Sequence, residues 1–260
     1  MSTPPPDHPV PGRVAELAEG RNLVPVWVNA LGGVTFRAGG PTVTSSAAPE
    51  LHIKYGPLNP ESSMADEVAR MTWLLPRLQG TGLTVPRVVD HGSDATHEWL
   101  VTETLPYASV VSENWLGRPE IAIQAGARAL RALHDAVDPA TCPFDWSVEA
   151  RVAAARAAGA EVPDHLRRSP AVGPVVDAPM VVAHGDACLP NTLLDDRGEP
   201  RALVDLALLG VADVWADLAA ALWSVDFNFG SGWREPYLEA YGIELDQQAL
   251  DFHLELRNYA

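Results

Sequence analysis

Apolar and polar positions alternate over residues 22–56, in NLVPVWVNA, GGVTFRAG, PTVTSS and LHIKYG. A period of two belongs to strands with one buried face, so this stretch predicts an antiparallel meander with turns at the glycine pairs 32–33 and 39–40. The period then changes. In ESSMADEVARMTWLLPRL, Met64, Val68, Met71, Leu74 and Leu75 recur at helical spacing, and Ser63 with Asp66 three residues on has the form of a capping box. VPRVVDHG and EWLVTETL return to strand character. Several strands, one helix and two more strands make a compact α+β lobe.

From residue 117 the pattern is helical and rich in Ala and Leu. RPEIAIQAGARALRALHDAV predicts a helix with Pro119 in its first turn, and residues 147–160 predict another. The proline-rich segment 162–179 reads as loop. VVAHGDACLPNTLLDD follows, then a short hairpin through Asp196 to Pro200 and the strand RALVD. Helices are expected at 212–225, 233–241 and 246–257. Asp213 reads as a helix N-cap, and Asp217, one turn on, as a brace beneath the His-Gly-Asp loop. Trp215, Trp223 and Trp233 read as core. The organisation is a loose lead-in over 1–20, an N-terminal lobe over 21–103 and a C-terminal lobe over 104–260. The first lobe is a small antiparallel sheet with a helix; the second is mainly helical.

Composition narrows the class. The chain is 47% hydrophobic, enough for a sizeable core, and no apolar run approaches the length of a membrane span. The first residues, MSTPPPDHPVPG, lack the basic and apolar regions of a signal peptide. Two cysteines, Cys142 and Cys188, make no disulfide framework and fit a reducing cytoplasm. Against 18 Lys and Arg stand 34 Asp and Glu, a net charge of −16. That sign speaks against nucleic acid as a partner. It suits a cationic small molecule, and equally it is a charge that serves solubility alone.

The chemistry concentrates in one loop. His184, Gly185 and Asp186 are followed by Asn191 five residues after the aspartate, and by Asp205 after an intervening hairpin. Phosphoryl transfer needs a carboxylate beside the attacking hydroxyl and oxygen ligands for metal ions that bridge the phosphates. A base aspartate with an asparagine at +5 is the kinase arrangement of those groups, and a strand-terminal aspartate would complete it. Gly185 allows a sharp bend, Pro190 stiffens the approach to Asn191, and an asparagine carbonyl is a hard oxygen donor suited to magnesium. His184 orders the loop. Cys188 has no paired histidine, so it is not read as a nucleophile. Lys54 lies on LHIKYG; its strand position also suits a solvent-facing lysine.

These motifs resemble the aminoglycoside phosphotransferases, antibiotic kinases with a protein-kinase-like fold, and most closely their 3′ branch. The resemblance is carried by HGDACLPN at 184–191, VDLALLGVADVWADLA at 204–219, LHDAVDPATCPFD at 133–145, and in the first lobe by LHIKYG, DEVARMTWL and WLVTETLP. It implies ATP or GTP as phosphate donor and two Mg2+ held by Asn191 and Asp205. It makes Asp186 the base or hydroxyl-orienting group. Lys54, fixed by Glu67, would reach the α- and β-phosphates, and the adenine would bond to backbone around Glu103 and Leu105. The glycine-rich phosphate turn is reduced to Gly32 and Gly33 in NALGGVTF.

The acceptor half departs from the branch. The chain ends LELRNYA, with Arg257 and Asn258 where the branch has acids. Ala207 and Leu208 follow the metal aspartate in place of Gly-Arg, and Phe227 and Asn228 replace an acidic pair. Asp226, Glu255 and the terminal carboxylate of Ala260 remain as candidates to hold a cationic substrate. Three readings stay open: a 3′-type aminoglycoside phosphotransferase, a kinase of another hydroxylated small molecule, and a non-catalytic nucleotide-binding regulator. The retained Asp186, Asn191 and Asp205 argue against the third.

Overall fold

The structure is a computed structural model that describes residues 4–5, 7–29, 32–41, 49–59, 63–167 and 179–259. The chain divides into two compact units, the first formed by Met1–Thr72 and Pro86–Pro106, the second by Trp73–Val85 and Tyr107–Ala260.

The first unit opens with helix α1 (Gly12–Ala18), inside the stretch expected as a loose lead-in. It is ordered because Val14 and Ala18 are buried against Phe36, Ile53 and Val101. Five strands follow: β1 (Arg21–Val28), β2 (Val34–Pro41), β3 (Leu51–Pro57), and, after helix α2 (Met64–Leu74), β4 (Val88–Ser93) and β5 (His97–Glu103). They form one antiparallel sheet in the order β1-β2-β3-β5-β4. Between β1 and β2 the Asn29 N–H donates to Gly33 O at 2.9 Å. The expected turn at Gly39 and Gly40 is not there. Both lie within β2, whose pairing with β1 is irregular between Arg21 and Asn22. The continuation PTVTSS falls largely at 42–48, outside the described residues. At the start of α2, the Ser63 hydroxyl accepts the Asp66 N–H at 3.0 Å and donates to the Asp66 carboxylate at 2.8 Å, which satisfies an otherwise orphaned backbone donor.

The second unit contains β6 (Ala108–Ser109), α3 (Glu113–Leu116), α4 (Pro119–Ala136), α5 (Val148–Ala157), β7 (Met180–Ala183), β8 (Thr192–Leu194), β9 (Pro200–Leu203), β10 (Gly210–Asp213), α6 (Val214–Phe229), α7 (Arg234–Tyr241) and α8 (Gln247–Leu256). Residues 73–85 join it although they precede β4. The Thr84 N–H donates to Arg201 O at 2.8 Å and Thr84 O accepts from the Leu203 N–H at 3.0 Å, so this segment is tied to β9. Two small sheets, β6-β8-β9 and β7-β10, flank the loop that carries His184 to Asn191.

Helix α6 is the centre of this unit. Eleven of its residues are buried, from Val214 to Val225, and it packs on α7 and α8. It begins two residues later than its pattern suggests, because Gly210–Asp213 pair with β7 as a strand. Asp213 then caps it, accepting the Trp215 N–H at 2.7 Å. Pro119 stands at the first position of α4, where its missing N–H costs nothing. Gly126, inside α4, carries a different constraint: a Cβ there would lie 2.7 Å from Leu189 Cδ2. A helix-interior glycine is unfavourable by about 1 kcal/mol relative to alanine. Here it lets α4 approach the loop.

Candidate active site

Within the second unit, the strand β7 ends at Ala183 and the chain turns sharply at Gly185, whose φ is 86°. The left-handed backbone and the close approach of the Leu208 carbonyl together admit only glycine there. The turn is fastened from below by Asp217 on α6. Its carboxylate accepts the His184 N–H at 2.6 Å and the Gly185 N–H at 2.9 Å. Asp217 is fully buried. Burial alone would push its carboxyl up, but the hydrogen bond and charge of His134, with the charge and N–H of His184, outweigh it and hold the group below the ordinary carboxylate range.

His134 on α4 is the residue that the sequence reading passed over. Its Nε2 lies 3.0 Å from Asp217 Oδ2 and its Nδ1 lies 2.7 Å from the Tyr241 hydroxyl. The chain Tyr241–His134–Asp217–loop therefore ties α7, α4 and α6 to the backbone just before Asp186. LHDAVDPATCPFD contains His134 within a recognisable motif, yet nothing local in it announces a partner 83 residues away. Ser224 was missed as well: its hydroxyl accepts the Leu189 N–H at 2.9 Å, and Asn228 donates to the Ser224 backbone O at 2.8 Å. His184 orders the loop from inside, its Nδ1 3.3 Å from the Asp186 N–H.

Asp186 and Asn191 are brought together. The Asn191 amide donates to the Asp186 backbone O at 2.9 Å and to its carboxylate at 3.2 Å. Asn191 is buried, at the end of the short 3-10 turn Leu189–Asn191 that Pro190 begins to rigidify. Asp205 departs from its expected place at a strand end. β9 stops at Leu203, the Val204 N–H crosses to Asn191 O at 3.0 Å, and Asp205 is exposed with a φ of 60°. Left-handed backbone costs a non-glycine residue roughly 1 kcal/mol or more, and aspartate tolerates it better than most.

In the first unit, Lys54 on β3 is not a free surface lysine. Its ammonium donates to both Glu67 oxygens, at 2.8 and 2.9 Å, and Glu67 is 5% exposed. Glu103 is committed elsewhere. Its N–H donates to Arg87 O at 3.0 Å, and its carboxylate pairs with the Arg87 guanidinium, whose hydrogen bond holds it below the ordinary range. Leu105 is half-buried in the irregular segment after β5.

The three acceptor-side acids fare differently. Asp226 is taken by Arg234, at 2.8 Å from its Nε and 2.6 Å from its Nη2. Glu255 is exposed and sits 3.0 Å from His165 Nε2. Ala260 lies outside the described residues. Trp215 is core, as its position on α6 suggests, whereas Trp223 is 38% exposed and faces Arg257 rather than the interior. Cys188 is half-buried. Burial, then the negative charge of Asp186, pushes its thiol far up, so it is no thiolate nucleophile.

Aligned with an aminoglycoside 3′-phosphotransferase from Streptomyces fradiae, the chain is 36% identical over 231 residues, 79% of this chain and 84% of that protein. Aligned with the streptomycin 3″-kinase of Streptomyces griseus, it is 31% identical over 96% of this chain and 97% of that one. A crystal structure of an aminoglycoside-3′-phosphotransferase of type VIII superposes with a TM-score of 0.72 at 27% identity, covering 93% of this chain and 94% of the other. An aminoglycoside phosphotransferase from Streptomyces rimosus in complex with ADP and streptomycin superposes with a TM-score of 0.65 at 26% identity, covering 92% of each chain. The fold is thus the α+β, protein-kinase-like one expected from the motifs. Residues 56–253 match the phosphotransferase enzyme family (APH), and the chain belongs to that family.

Proposed function

We propose that the protein transfers the γ-phosphoryl group of ATP to a hydroxyl of an aminoglycoside, as a 3′-type enzyme. The observation that carries this reading is the Asp186–Asn191 pair, hydrogen-bonded to each other in a loop clamped by buried Asp217. The 36% identical relative from Streptomyces fradiae bears the name of that activity. In the step proposed, the acceptor oxygen attacks the γ-phosphorus, its proton passes to the Asp186 carboxylate, the bond to the bridging oxygen breaks and ADP leaves. Lys54, oriented by Glu67, is assigned to the α- and β-phosphates, and the backbone at Leu105, beside Glu103, to the adenine. GTP would be accommodated by the same phosphate contacts.

Among the described residues, no three His, Cys, Asp or Glu side chains form a ready cage for a metal. The donor set still fits Mg2+, which takes one or two protein oxygens and keeps water and phosphate for the rest. The Asn191 amide nitrogen is engaged by Asp186, which leaves its Oδ1 for a cation, and Asp205 adds an exposed carboxylate on a strained turn. Asn191 and Asp205 would hold the ions, and bound Mg2+ would neutralise charge on the phosphate oxygens. No described helix is long and apolar enough to cross a membrane.

Steady-state transfer to kanamycin, followed by coupled ADP release, tests the reading. Asp186→Ala is expected to lower kcat by roughly 10²–10⁴ with the KM for ATP near that of the parent, since a positioned base contributes about that much. Near-parental turnover by the variant would remove Asp186 from the reaction.

A further inference from the structure

The outer side of the Asp186 loop is covered by a cation. Arg257, one residue past the end of α8, reaches across to the loop and donates from Nη2 to Cys188 Sγ at 3.7 Å. The Asp186 carboxylate acts on the same thiol, so the guanidinium and the proposed base share Cys188 as a neighbour. The guanidinium lies over the Trp223 ring, with its Cζ 4.1 Å from the ring centroid. Trp223 in turn stacks on Phe227, with ring centroids 5.2 Å apart and planes inclined by 13°. Phe227 is 74% exposed.

Among the described residues, no carboxylate lies within ion-pair distance of Arg257. Asp226, on the same helix as Trp223 and Phe227, is neutralised by Arg234. A cation–π contact of this kind fixes a guanidinium in place and leaves its charge intact. A ligand entering beside Asp186 on this side therefore meets a fixed positive charge and an open aromatic face. Like charges at short range raise the cost of binding, whereas a sugar ring with few charges can lie on the aromatic face.

We infer that Arg257 is a specificity-determining residue, one that disfavours ammonium groups next to the reacting hydroxyl and selects aminated sugars with few charges over polycationic ones. The inference rests on the proposed transfer to an aminoglycoside and narrows its substrate class.

Kanamycin and 6′-N-acetylkanamycin differ by one ammonium group on one scaffold, which makes them the probes. For the parent chain, kcat/KM should be higher for the acetylated compound. Arg257→Gln should raise kcat/KM for kanamycin by roughly fivefold and Arg257→Glu by about tenfold or more, with the KM for ATP unchanged, the size expected when one like-charge contact near a surface is removed or reversed. Trp223→Leu, which frees the guanidinium while keeping the charge, should give a smaller change of the same sign. An acetylated-to-free ratio identical in the parent and Arg257→Glu would overturn the inference while leaving the proposed transfer intact. If no protein phosphorylates either compound, that transfer fails. Titration of kanamycin by calorimetry then still decides Arg257: tighter binding by Arg257→Glu upholds its role, and equal or absent binding ends it.

Discussion

Two regions meet at Asp186, and they are built by opposite means. On the inner side, the loop hangs on Asp217, His134 and Ser224, all buried, with bonds of 2.6 to 3.0 Å running to backbone N–H groups and between side chains. On the outer side stand Asp226, Phe227, Glu255 and Arg257, exposed or half-exposed and joined by surface ion pairs and ring contacts. The inner region leaves no latitude, because any buried partner removed strands another polar group in a low dielectric. The outer region can change its charge without unfolding anything, since exposed pairs contribute between roughly 0 and 1 kcal/mol. Under the function proposed above, the first kind of construction would hold the chemistry and the second would set acceptor choice.

The sharpest way to break that comparison is Asp217→Ala. It would leave the His184 and Gly185 amides and the Nε2 of His134 without the carboxylate that partners them, while His134 Nδ1 keeps the Tyr241 hydroxyl. Removing one member of a buried charged network costs about 3–5 kcal/mol. Urea denaturation should show a loss of that size, and phosphoryl transfer should fall with it. A variant as stable as the parent would mean that the buried network is ornamental.

A middle-sized effect is expected from acid. His253 on α8 is buried beside Arg151, with 3.3 Å between Nδ1 and Nη1. Burial, then the Arg151 charge, holds its imidazole down to about 3, against an ordinary value of 6.5. The unfolded chain therefore takes up a proton below 6.5 that the folded chain refuses until about 3, so stability from this group is intact above 6.5 and is lost as pH falls through that window. His253→Leu should flatten the decline of Tm between those limits. An unchanged slope would show that another group governs acid lability.

The smallest effect belongs to the surface. Asp226→Asn weakens a half-exposed pair with Arg234. Stability should change by less than about 1 kcal/mol and the KM for kanamycin by no more than about twofold. A much larger rise in KM would show that Asp226 leaves Arg234 for the substrate, and the contrast between the two regions would then have to be redrawn.

Much of the inner region is legible along the chain because its parts are local. The interval from Asp186 to Asn191, the glycine between His184 and Asp186, the cap at Asp213 and the phase of Asp217 one turn later are all short-range facts. The capping interaction of Ser63 with Asp66 is another. Other pairings are not local. His134 meets Asp217 across 83 residues, Arg257 meets Cys188 across 69, and Lys54 meets Glu67 across 13. Lys54 on its strand suits a solvated position as well as a buried ion pair until α2 is packed beside it. Trp223 looks like core from its helical neighbours, and only the position of Arg257 shows that its ring carries a cation.

The sequence by itself determined the class of chemistry, since two aspartates and an asparagine at those intervals have few other uses, and its periods marked out most of the strands and helices, though not α1 or the strand Gly210–Asp213. The tertiary structure decided which acids are available. Asp226 and Glu255 are carboxylates in the sequence but ion-pair partners in the fold. It also decided that a guanidinium stands beside the loop that holds Asp186. The physical reason is that periodicity and turn chemistry act over a few residues, whereas the charge a substrate meets is the sum of groups brought together from distant parts of the chain.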